Sequence, residues 1–498
     1  MSCAVVINAL LPFRRWMDFR SPVDAVEKLL EKALTIVPAK DTYIIVDEPL
    51  SREMDERFDG LQRIFVDDRR SRTVFSTVAR FLKKYEDAVY FFVDTPILST
   101  ELTKKMLELH RREIAEYTYG EGFPAGYTPE IIKVSVFQKL ATLLHSDDTL
   151  IGRDSIFSAL SKDINSFDIE TFFAPRNLKL RRIELTTSYK ANAILTSRVI
   201  EKKGVNCSYE SFCDLIDHEP SILRTVPSYA EVEITNRVNT HTVFSPISYL
   251  KRDIGDMKME HFWIVFEKLI DISETLYLSF SYLGEPLLHP DIRELIEHVI
   301  NRRNANLILE TDGMLFTPDF SDYIAQLGAE NLTVIFQVDA INDHTYMNLR
   351  RGDLGRVERN IRYLLSKCNR NVYVQITRIE KNEEELLEFF DRWEKEGAGV
   401  IVQKYNSFLN ILPHLSDADL RPLEREPCWH LMRDIVVFKN GDVPRCKQDI
   451  NGQFILGNLI EGDVEEVWEA GESFYLEHCA HRYDEYCTAC DEYYTFNF

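Results

Sequence analysis

The sequence predicts an α/β protein that is built from three regions, at residues 1–227, 228–415 and 416–498. Over the first two regions, short apolar runs alternate with helical patterns, as in folds whose parallel sheets are covered by helices. The third region differs in composition, because five of the nine cysteines fall between Cys428 and Phe498. A chain of 498 residues is also long enough for about three domains.

The composition favours a globular protein of the cytoplasm and excludes some classes of partner. The net charge of -22 argues against binding to nucleic acid, which needs a basic surface. No apolar run approaches the ~20 residues that span a bilayer, so no membrane partner is expected. The run from Met1 to Ile7 has no basic segment before it, and we interpret it as a buried strand rather than a signal peptide. Clustered cysteines in a reducing compartment are more often metal ligands than disulfides.

The first region is predicted to form a mostly parallel sheet covered by helices. Its strands are assigned to the apolar runs Val5–Leu11, Tyr43–Val46, Arg63–Val66 and Val89–Val93. Its helices are assigned to Pro22–Leu34, Thr73–Tyr85 and Thr100–Arg112. Asp94 directly follows the last strand, where α/β folds commonly present metal-binding or catalytic groups. Asp94 is therefore the candidate catalytic residue.

This region resembles the sugar-nucleotide cytidylyltransferases. The likeness is carried by Val93-Asp94-Thr95-Pro96-Ile97-Leu98-Ser99 and by Phe123-Pro124-Ala125-Gly126-Tyr127-Thr128-Pro129-Glu130. It implies a nucleotidyltransferase-like domain of the GT-A or Rossmann-like kind, with Asp94 where that family holds magnesium. Residues 12–20 contain no glycine, although such enzymes wrap the triphosphate in a glycine-rich loop after the first strand. The domain is therefore expected to be degenerate, with docking or interaction favoured over active transfer.

The second region is predicted to form a partial parallel barrel of six strand–helix units, which presents its chemistry at the carboxyl ends of the strands. The strands are assigned to Glu231–Thr235, Leu276–Ser281, Asn306–Glu310, Leu332–Val338, Asn371–Thr377 and Val400–Lys404. The helices between them include Met259–Ile270, Ile292–Arg302, Gly355–Lys367 and Glu383–Glu396.

The third region carries a set of cysteines with the spacing of a metal site. Cys487 and Cys490 form a Cys-x2-Cys pair, and Asn440-Gly441 predicts a tight hairpin turn that would bring Cys428 and Cys446 together. Four thiolates at such spacings suit a 4Fe–4S cluster or a structural zinc. The spare Cys479 is interpreted as a buried thiol, with a substitute ligand as the alternative.

The second and third regions resemble the radical S-adenosylmethionine (SAM) superfamily with a SPASM or twitch extension. The likeness is carried by Glu233-Ile234-Thr235-Asn236-Arg237, Leu283-Gly284-Glu285-Pro286, Thr311-Asp312-Gly313 and Arg350-Arg351-Gly352. In that family the Gly-Glu-Pro turn positions the amino group of SAM. The resemblance implies one auxiliary cluster in the third region, which we call the tail. It also implies a residual site for SAM or another ligand at Gly284, Glu285, Pro286, Thr311, Asp339, Arg351 and Gln375. The whole chain resembles the spiro-SPASM group, which is named for its architecture.

One loop departs from the family. Radical SAM enzymes hold three irons through Cys-x3-Cys-x2-Cys, and here that spacing falls on Val238, Thr242 and Ser245. Valine has no donor atom, and hydroxyl groups titrate too high to replace thiolates as cluster ligands. Reductive cleavage of SAM is therefore not expected, whereas binding of SAM or another small molecule near Glu285 stays open.

Four functions are compatible with the sequence. The favoured one is an iron–sulfur pseudoenzyme with one 4Fe–4S cluster that binds a small ligand or a protein or peptide partner, or that transfers electrons. The others are an active radical SAM enzyme that modifies a peptide or sugar, a sugar-nucleotide cytidylyltransferase and a non-catalytic scaffold. Zinc is the alternative to the cluster.

Overall fold

The computed structural model describes residues 2–10, 25–47, 60–144, 149–416 and 418–495. The chain divides into two compact units, Met1–Thr225 and Val226–Phe498. The glycine-poor stretch at 12–20 lies outside the described residues, as do Leu11 and Pro22 at the ends of two predicted elements. Within the described ranges, no helix is long and apolar enough to cross a membrane.

The first unit is built on one mixed sheet. Its described strands are β1 (Cys3–Asn8), β2 (Thr42–Val46), β3 (Gln62–Phe65), β4 (Asp87–Phe92), β5 (Tyr117–Glu121), β6 (Glu130–Lys133) and β7 (Ile169–Phe173). They lie in the order β3-β2-β1-β4-β6-β5-β7, and only β6 runs antiparallel to its neighbours. The central strands β1 and β4 are buried along most of their length, as is usual for parallel strands covered on both faces. The predicted α/β fold with a mostly parallel sheet is confirmed.

The helices of the first unit start close to the predicted positions where these were assigned. The described α-helices are Ala25–Ile36, Ser71–Leu82, Thr100–Arg112, Val134–Leu143, Ser155–Ser161, Lys190–Lys203 and Tyr209–His218. Ser99 caps the third of these helices, because its hydroxyl accepts a hydrogen bond from the Leu102 N–H.

The second unit contains a parallel sheet that forms the predicted partial barrel. Its described strands are β8 (Tyr229–Val232), β9 (Leu276–Ser279), β10 (Ala305–Thr311), β11 (Leu332–Gln337), β12 (Val372–Arg378), β13 (Gly399–Lys404), β14 (Asp434–Val437), β15 (Asp442–Pro444) and β16 (Ile455–Asn458). Strands β8 to β14 lie in the order β13-β12-β11-β10-β9-β8-β14, and each pair is parallel. A single apolar core joins these strands to the surrounding helices.

The helices of this unit alternate with the barrel strands. The described α-helices are Met259–Ser273, Ile292–Ile300, Pro318–Leu327, Asp343–Arg350, Leu354–Lys367, Leu386–Lys395, Trp429–Arg433, Val464–Ala470, Glu472–Cys479 and Glu485–Ala489. Several begin at a side chain that accepts a hydrogen bond from a first-turn N–H, among them Thr317, Asn342 and Asp353.

The C-terminal region is joined to the barrel, because β14 pairs with β8 and so extends the barrel sheet. Both belong to the same compact unit of the structure. The predicted hairpin pairs differently: Gly441 makes a turn at φ +85° and donates its N–H to Phe438 O, but β15 pairs with β16 and not with β14. The turn therefore connects two sheets rather than two strands of one hairpin.

Candidate functional site

The loop that follows β8 carries the residues at the spacing of the missing cysteines. The Thr242 hydroxyl accepts a hydrogen bond from the Phe244 N–H at 2.9 Å, and the Ser245 hydroxyl accepts one from the Ile247 N–H at 3.3 Å. Both hydroxyls thus stabilise local turns of the backbone. Thr242 and Ser245 line a cavity in the barrel, whereas Val238 is not among its lining residues.

Asp312, which directly follows strand β10, holds the same loop. Its carboxylate accepts hydrogen bonds from the Thr240 hydroxyl at 3.0 Å, from the Asn239 amide at 3.3 Å and from the Met314 N–H at 2.9 Å. Asp312 is 5% exposed, so these contacts lie in the interior of the unit. The loop is consequently fixed by protein groups of its own chain.

The turn at Leu283-Gly284-Glu285-Pro286 packs directly against the end of β8. A Cβ atom at Gly284 would lie 2.2 Å from Thr235 O and 2.9 Å from Asn236 Cα, both of them backbone atoms. Only glycine permits this approach of two backbone segments. The predicted glycine position is therefore explained by packing, and it brings Glu285 to the edge of the cavity.

The carboxylate of Glu285 accepts hydrogen bonds from three other groups of the protein. The donors are the Thr311 hydroxyl at 2.9 Å, the Asp312 N–H at 2.8 Å and the Leu287 N–H at 3.1 Å. Burial raises the pKa of Glu285 to about 8, and the nearby Asp312 carboxylate adds to the rise. Glu285 therefore takes up a proton more readily than an exposed carboxyl group does.

The adjacent residues Arg350 and Arg351 have different environments in the structure. Arg350 is 3% exposed, lines the cavity and donates from Nε to Asp339 Oδ2 at 2.5 Å. Arg351 has φ +52° at the end of its helix, and its side chain is exposed. The sequence-predicted Arg351 is therefore not at the cavity, and Arg350 takes that position. Asp339 positions Arg350 without lining the cavity.

The barrel cavity has a volume of about 230 Å³ and a mostly charged or polar lining. Of the predicted residues, Gly284, Glu285, Thr311 and Gln375 line it, and Pro286 does not. Sequence reasoning missed Glu231, Glu310, Gln337, Lys404 and Lys447, which line it as well. The signal was available for Glu231 and Glu310, since each is an acidic residue in a strand that is otherwise largely apolar.

These missed residues form linked polar pairs inside the barrel. Arg350 donates to Gln337 at 3.1 Å, and Gln337 in turn donates to Glu310 at 2.8 Å. Lys447 Nζ lies 4.0 Å from Glu231 Oε1. Burial raises the pKa of Glu231 to about 7, although the Lys447 ammonium opposes this rise. The cavity therefore offers both signs of charge to a polar ligand.

A second cavity in the same unit is lined by all four predicted cluster cysteines, Cys428, Cys446, Cys487 and Cys490. Its volume is about 30 Å³, and Cys479 is not among its lining residues. Burial raises the pKa of Cys487 and of Cys490 to about 12. In the described part of the chain, no group of three or more His, Cys, Asp or Glu residues is arranged to hold a metal ion.

The same cavity is lined by polar atoms that lack a hydrogen-bond partner among the described residues. Gln448 is 4% exposed, and both polar atoms of its amide are unpaired, as are the Nε atoms of Arg425 and Arg445. Buried polar groups are nearly always hydrogen-bonded in folded proteins. The residue types around this cavity, four cysteines with cationic and N–H neighbours, are those that surround an anionic iron–sulfur cluster.

Asp94, the candidate catalytic residue in the first unit, is hydrogen-bonded to two other side chains. It is 1% exposed, and its Oδ2 accepts hydrogen bonds from the Arg153 guanidinium and the Ser188 hydroxyl. Its Oδ1 has no hydrogen-bond partner among the described residues. Arg153 and Ser188 thus already use one oxygen of the Asp94 carboxylate, which leaves Oδ1 for any metal ion.

The fold and these two cavities define a class of protein: a partial parallel barrel of the radical SAM type, continued by a cysteine-bearing tail. The chain matches the radical SAM superfamily over residues 253–392 and the SPASM description, an iron-sulfur cluster-binding domain, over residues 428–491. The protein belongs to the radical SAM superfamily and carries a SPASM domain. The first match begins after the loop that contains Val238, Thr242 and Ser245.

The chain is also similar to individual proteins. The chain is 30% identical over 358 residues to an uncharacterized protein of Treponema pallidum (strain Nichols), which covers 69% of this chain and 98% of that protein. It is 22% identical over 246 residues to the S-adenosyl-L-methionine-dependent 2-deoxy-scyllo-inosamine dehydrogenase of Niallia circulans, covering 48% and 82% of the two chains. The structure of a cytidylyltransferase from Leptospira borgpetersenii is similar at 16% identity and a TM-score of 0.37, covering 45% of this chain and 96% of that one.

Proposed function

We propose that the protein is an iron–sulfur protein that binds a polar ligand in its barrel and has lost reductive cleavage of SAM. One auxiliary 4Fe–4S cluster would be held by Cys428, Cys446, Cys487 and Cys490, and it would supply a one-electron redox centre. The observation that carries the proposal concerns the loop that contains Val238, Thr242 and Ser245, which we call the altered loop. Where the family has thiolates, the hydroxyl groups of Thr242 and Ser245 accept hydrogen bonds from backbone N–H groups.

The barrel residues supply the binding role. The cavity of about 230 Å³ is smaller than the ~300–1,000 Å³ of ordinary ligand pockets, so it suits a small polar molecule or one side chain of a peptide. Arg350 and Lys447 would receive an anionic group, and Glu231 and Glu310 a cationic or hydroxyl group. A zwitterionic ligand matches this pairing of charges.

The cluster assignment is tested by metal and sulfide analysis of protein that has been purified without oxygen. The expected result is about four irons with matching sulfide per chain and a broad visible absorption. The double variant Cys487→Ala/Cys490→Ala should lose both. Cys479→Ala is the matched control, since Cys479 lies in the same region but does not line the cavity. Stoichiometric zinc in place of iron, or equal iron loss in the control, contradicts the assignment.

The loss of SAM cleavage is tested separately. The iron-loaded protein is incubated with SAM and a strong reductant, and 5′-deoxyadenosine is measured by chromatography and mass spectrometry. None is expected, because the loop provides no thiolate for a second cluster. Release of 5′-deoxyadenosine that persists in Cys487→Ala/Cys490→Ala would show that a cluster forms elsewhere, and the proposal would then fail.

A further inference from the structure

The first unit contains a cavity that neither the proposed function nor the family assignment uses. It has a volume of about 410 Å³ and lies beside strands β4, β5 and β6. Its walls are rich in aromatic rings, contributed by Tyr90, Phe91, Phe92, Tyr117, Tyr119, Phe123 and Phe157. Its charged lining residues are Glu121, Glu130, Arg153, Asp154 and Lys179. The volume falls within the ~300–1,000 Å³ typical of small-molecule sites.

Both cations that line the cavity are already paired with other carboxylates. Lys179 Nζ lies 2.6 Å from Glu121 Oε1. The Arg153 guanidinium bonds to the buried Asp94, which is not itself a lining residue. Within the described ranges, the carboxylates of Glu130 and Asp154 form no salt bridge, and the Arg153 guanidinium acts on Glu130 only through its longer-range charge. The cavity thus carries an excess of negative charge, which disfavours a nucleoside triphosphate or a sugar acid.

The two remaining carboxylates lie near each other and near the aromatic wall. Glu130 accepts a hydrogen bond from the Tyr117 hydroxyl at 2.5 Å, and the Tyr117 and Tyr119 rings stack with centroids 5.7 Å apart. Burial raises the pKa of Glu130 to about 7, and the Asp154 carboxylate adds to this rise. Two carboxylates that repel each other are stabilised by a cation placed between them.

An aromatic wall of this cavity already carries a cation. The Arg153 guanidinium lies 4.8 Å from the centroid of the Phe92 ring. Rings of Tyr and Phe attract cations through the negative charge of their faces, and sites for alkylammonium groups combine such rings with carboxylates. We propose that this cavity binds a small organic cation whose alkylammonium group lies against the aromatic rings, beside Glu130 and Asp154.

The proposal is tested with choline and with 3,3-dimethylbutan-1-ol, which has the same shape without the charge. Affinities for the full-length protein are measured by calorimetry or by ligand-observed NMR. Choline should bind at least about ten-fold more tightly than the neutral analogue, since the charge supplies the attraction. Equal affinities, or no choline binding up to ~10 mM, would overturn the proposal.

Variants test whether Glu130 and Asp154 are the residues that bind choline. Glu130→Gln retains an acceptor for the Tyr117 hydroxyl, and Asp154 is exposed, so Glu130→Gln/Asp154→Asn should remain folded. This double variant should weaken choline binding by about ten-fold or more. Asp214→Asn is the matched control, because this acidic residue is exposed in the same unit but outside the cavity. An equal loss in the control would overturn the assignment.

A phosphorylated ligand is distinguished in the same experiment. Phosphocholine should bind no more tightly than choline, since the carboxylates of Glu130 and Asp154 repel a phosphate group. Tighter binding of phosphocholine would show that the cavity selects the anionic group, and the proposal would then be wrong.

Discussion

Replacing Arg350 by methionine should strongly destabilise the second unit. Asp339 is fully buried and Arg350 is 3% exposed. Arg350 Nε donates to Asp339 Oδ2 at 2.5 Å, and the Thr377 N–H donates to Oδ1 at 2.5 Å. Methionine retains much of the apolar stem but leaves the Asp339 carboxylate in the interior without a cation. The penalty therefore comes from an unpaired buried charge rather than from a cavity.

The size of the effect follows from the burial of both partners. Removing one partner of a buried ion pair costs about 3–5 kcal/mol of unfolding free energy. In a unit of this size each kcal/mol lowers Tm by about 2–4 °C, so the loss should be roughly 6–20 °C. The double variant Asp339→Asn/Arg350→Met should recover much of it, because no uncompensated charge is then left inside.

The assay is urea unfolding followed by circular dichroism, with calorimetry to resolve the two units. Arg351→Met is the matched control, since the adjacent arginine is exposed and should change stability by no more than about 0.5 kcal/mol. The reasoning is refuted if both arginine variants unfold at the same urea concentration, or if the double variant is no more stable than Arg350→Met.

Three further predictions concern Gly284, Glu285 and Asp94. Gly284→Ala should cost about 3 kcal/mol in urea unfolding, because its Cβ would meet Thr235 O at 2.2 Å and no side-chain rotation relieves a backbone contact; an unchanged midpoint contradicts this. The pKa of Glu285 is raised from 4.5 to about 8, so its contribution to stability is complete below pH 4.5 and is lost as the pH rises towards 8. Glu285→Gln should remove this decline, and parallel pH curves for the two proteins would disprove the assignment. No release of pyrophosphate from CTP is expected with any sugar acid, because Arg153 and Ser188 bond to the carboxylate of Asp94; release that Asp94→Ala abolishes would show otherwise.

The barrel could be predicted from the sequence because its physical signal is local. Each of the strands β8 to β13 is a short, largely apolar run, since parallel strands are buried on both faces, and the observed bounds differ from the predicted ones by a few residues. The turn at Gly284 was equally visible, because its glycine is required by a close backbone contact. Local patterns of this kind can be recognised without knowing which distant segments of the chain pair.

Other features depended on distant contacts and could not be predicted. The pairing of β14 with β8 joins segments that are far apart in the chain, and no local pattern indicates it. Which of Arg350 and Arg351 lines the barrel cavity depends on where the helix ends. Arg350 is the last residue of the helix Asp343–Arg350 and is buried, whereas Arg351 adopts φ +52° and is exposed. A shift of one residue across a helix terminus reverses the direction of a side chain, which sequence similarity alone does not resolve.

The barrel cavity and the cysteine-lined cavity differ in how their polar groups are paired. Around the altered loop, Asp312, Thr242 and Ser245 all accept hydrogen bonds from the chain itself, so the loop is complete without a bound group. Around the cysteines, the buried Gln448 amide has no partner among the described residues, and a folded segment rarely leaves such a group unpaired. Binding of the cluster should therefore stabilise the tail far more than any ligand stabilises the altered loop.

This difference predicts a local effect of cluster loss on hydrogen exchange. Removing the iron by anaerobic chelation should speed amide exchange in the helices Glu472–Cys479 and Glu485–Ala489 by about ten-fold or more, while β9 to β12 in the barrel core exchange at unchanged rates. Cys487→Ala/Cys490→Ala should show the same pattern without chelation, and Cys479→Ala should not. A uniform increase over the whole second unit would mean that the tail and the barrel unfold together, and the distinction drawn between the two cavities would be incorrect.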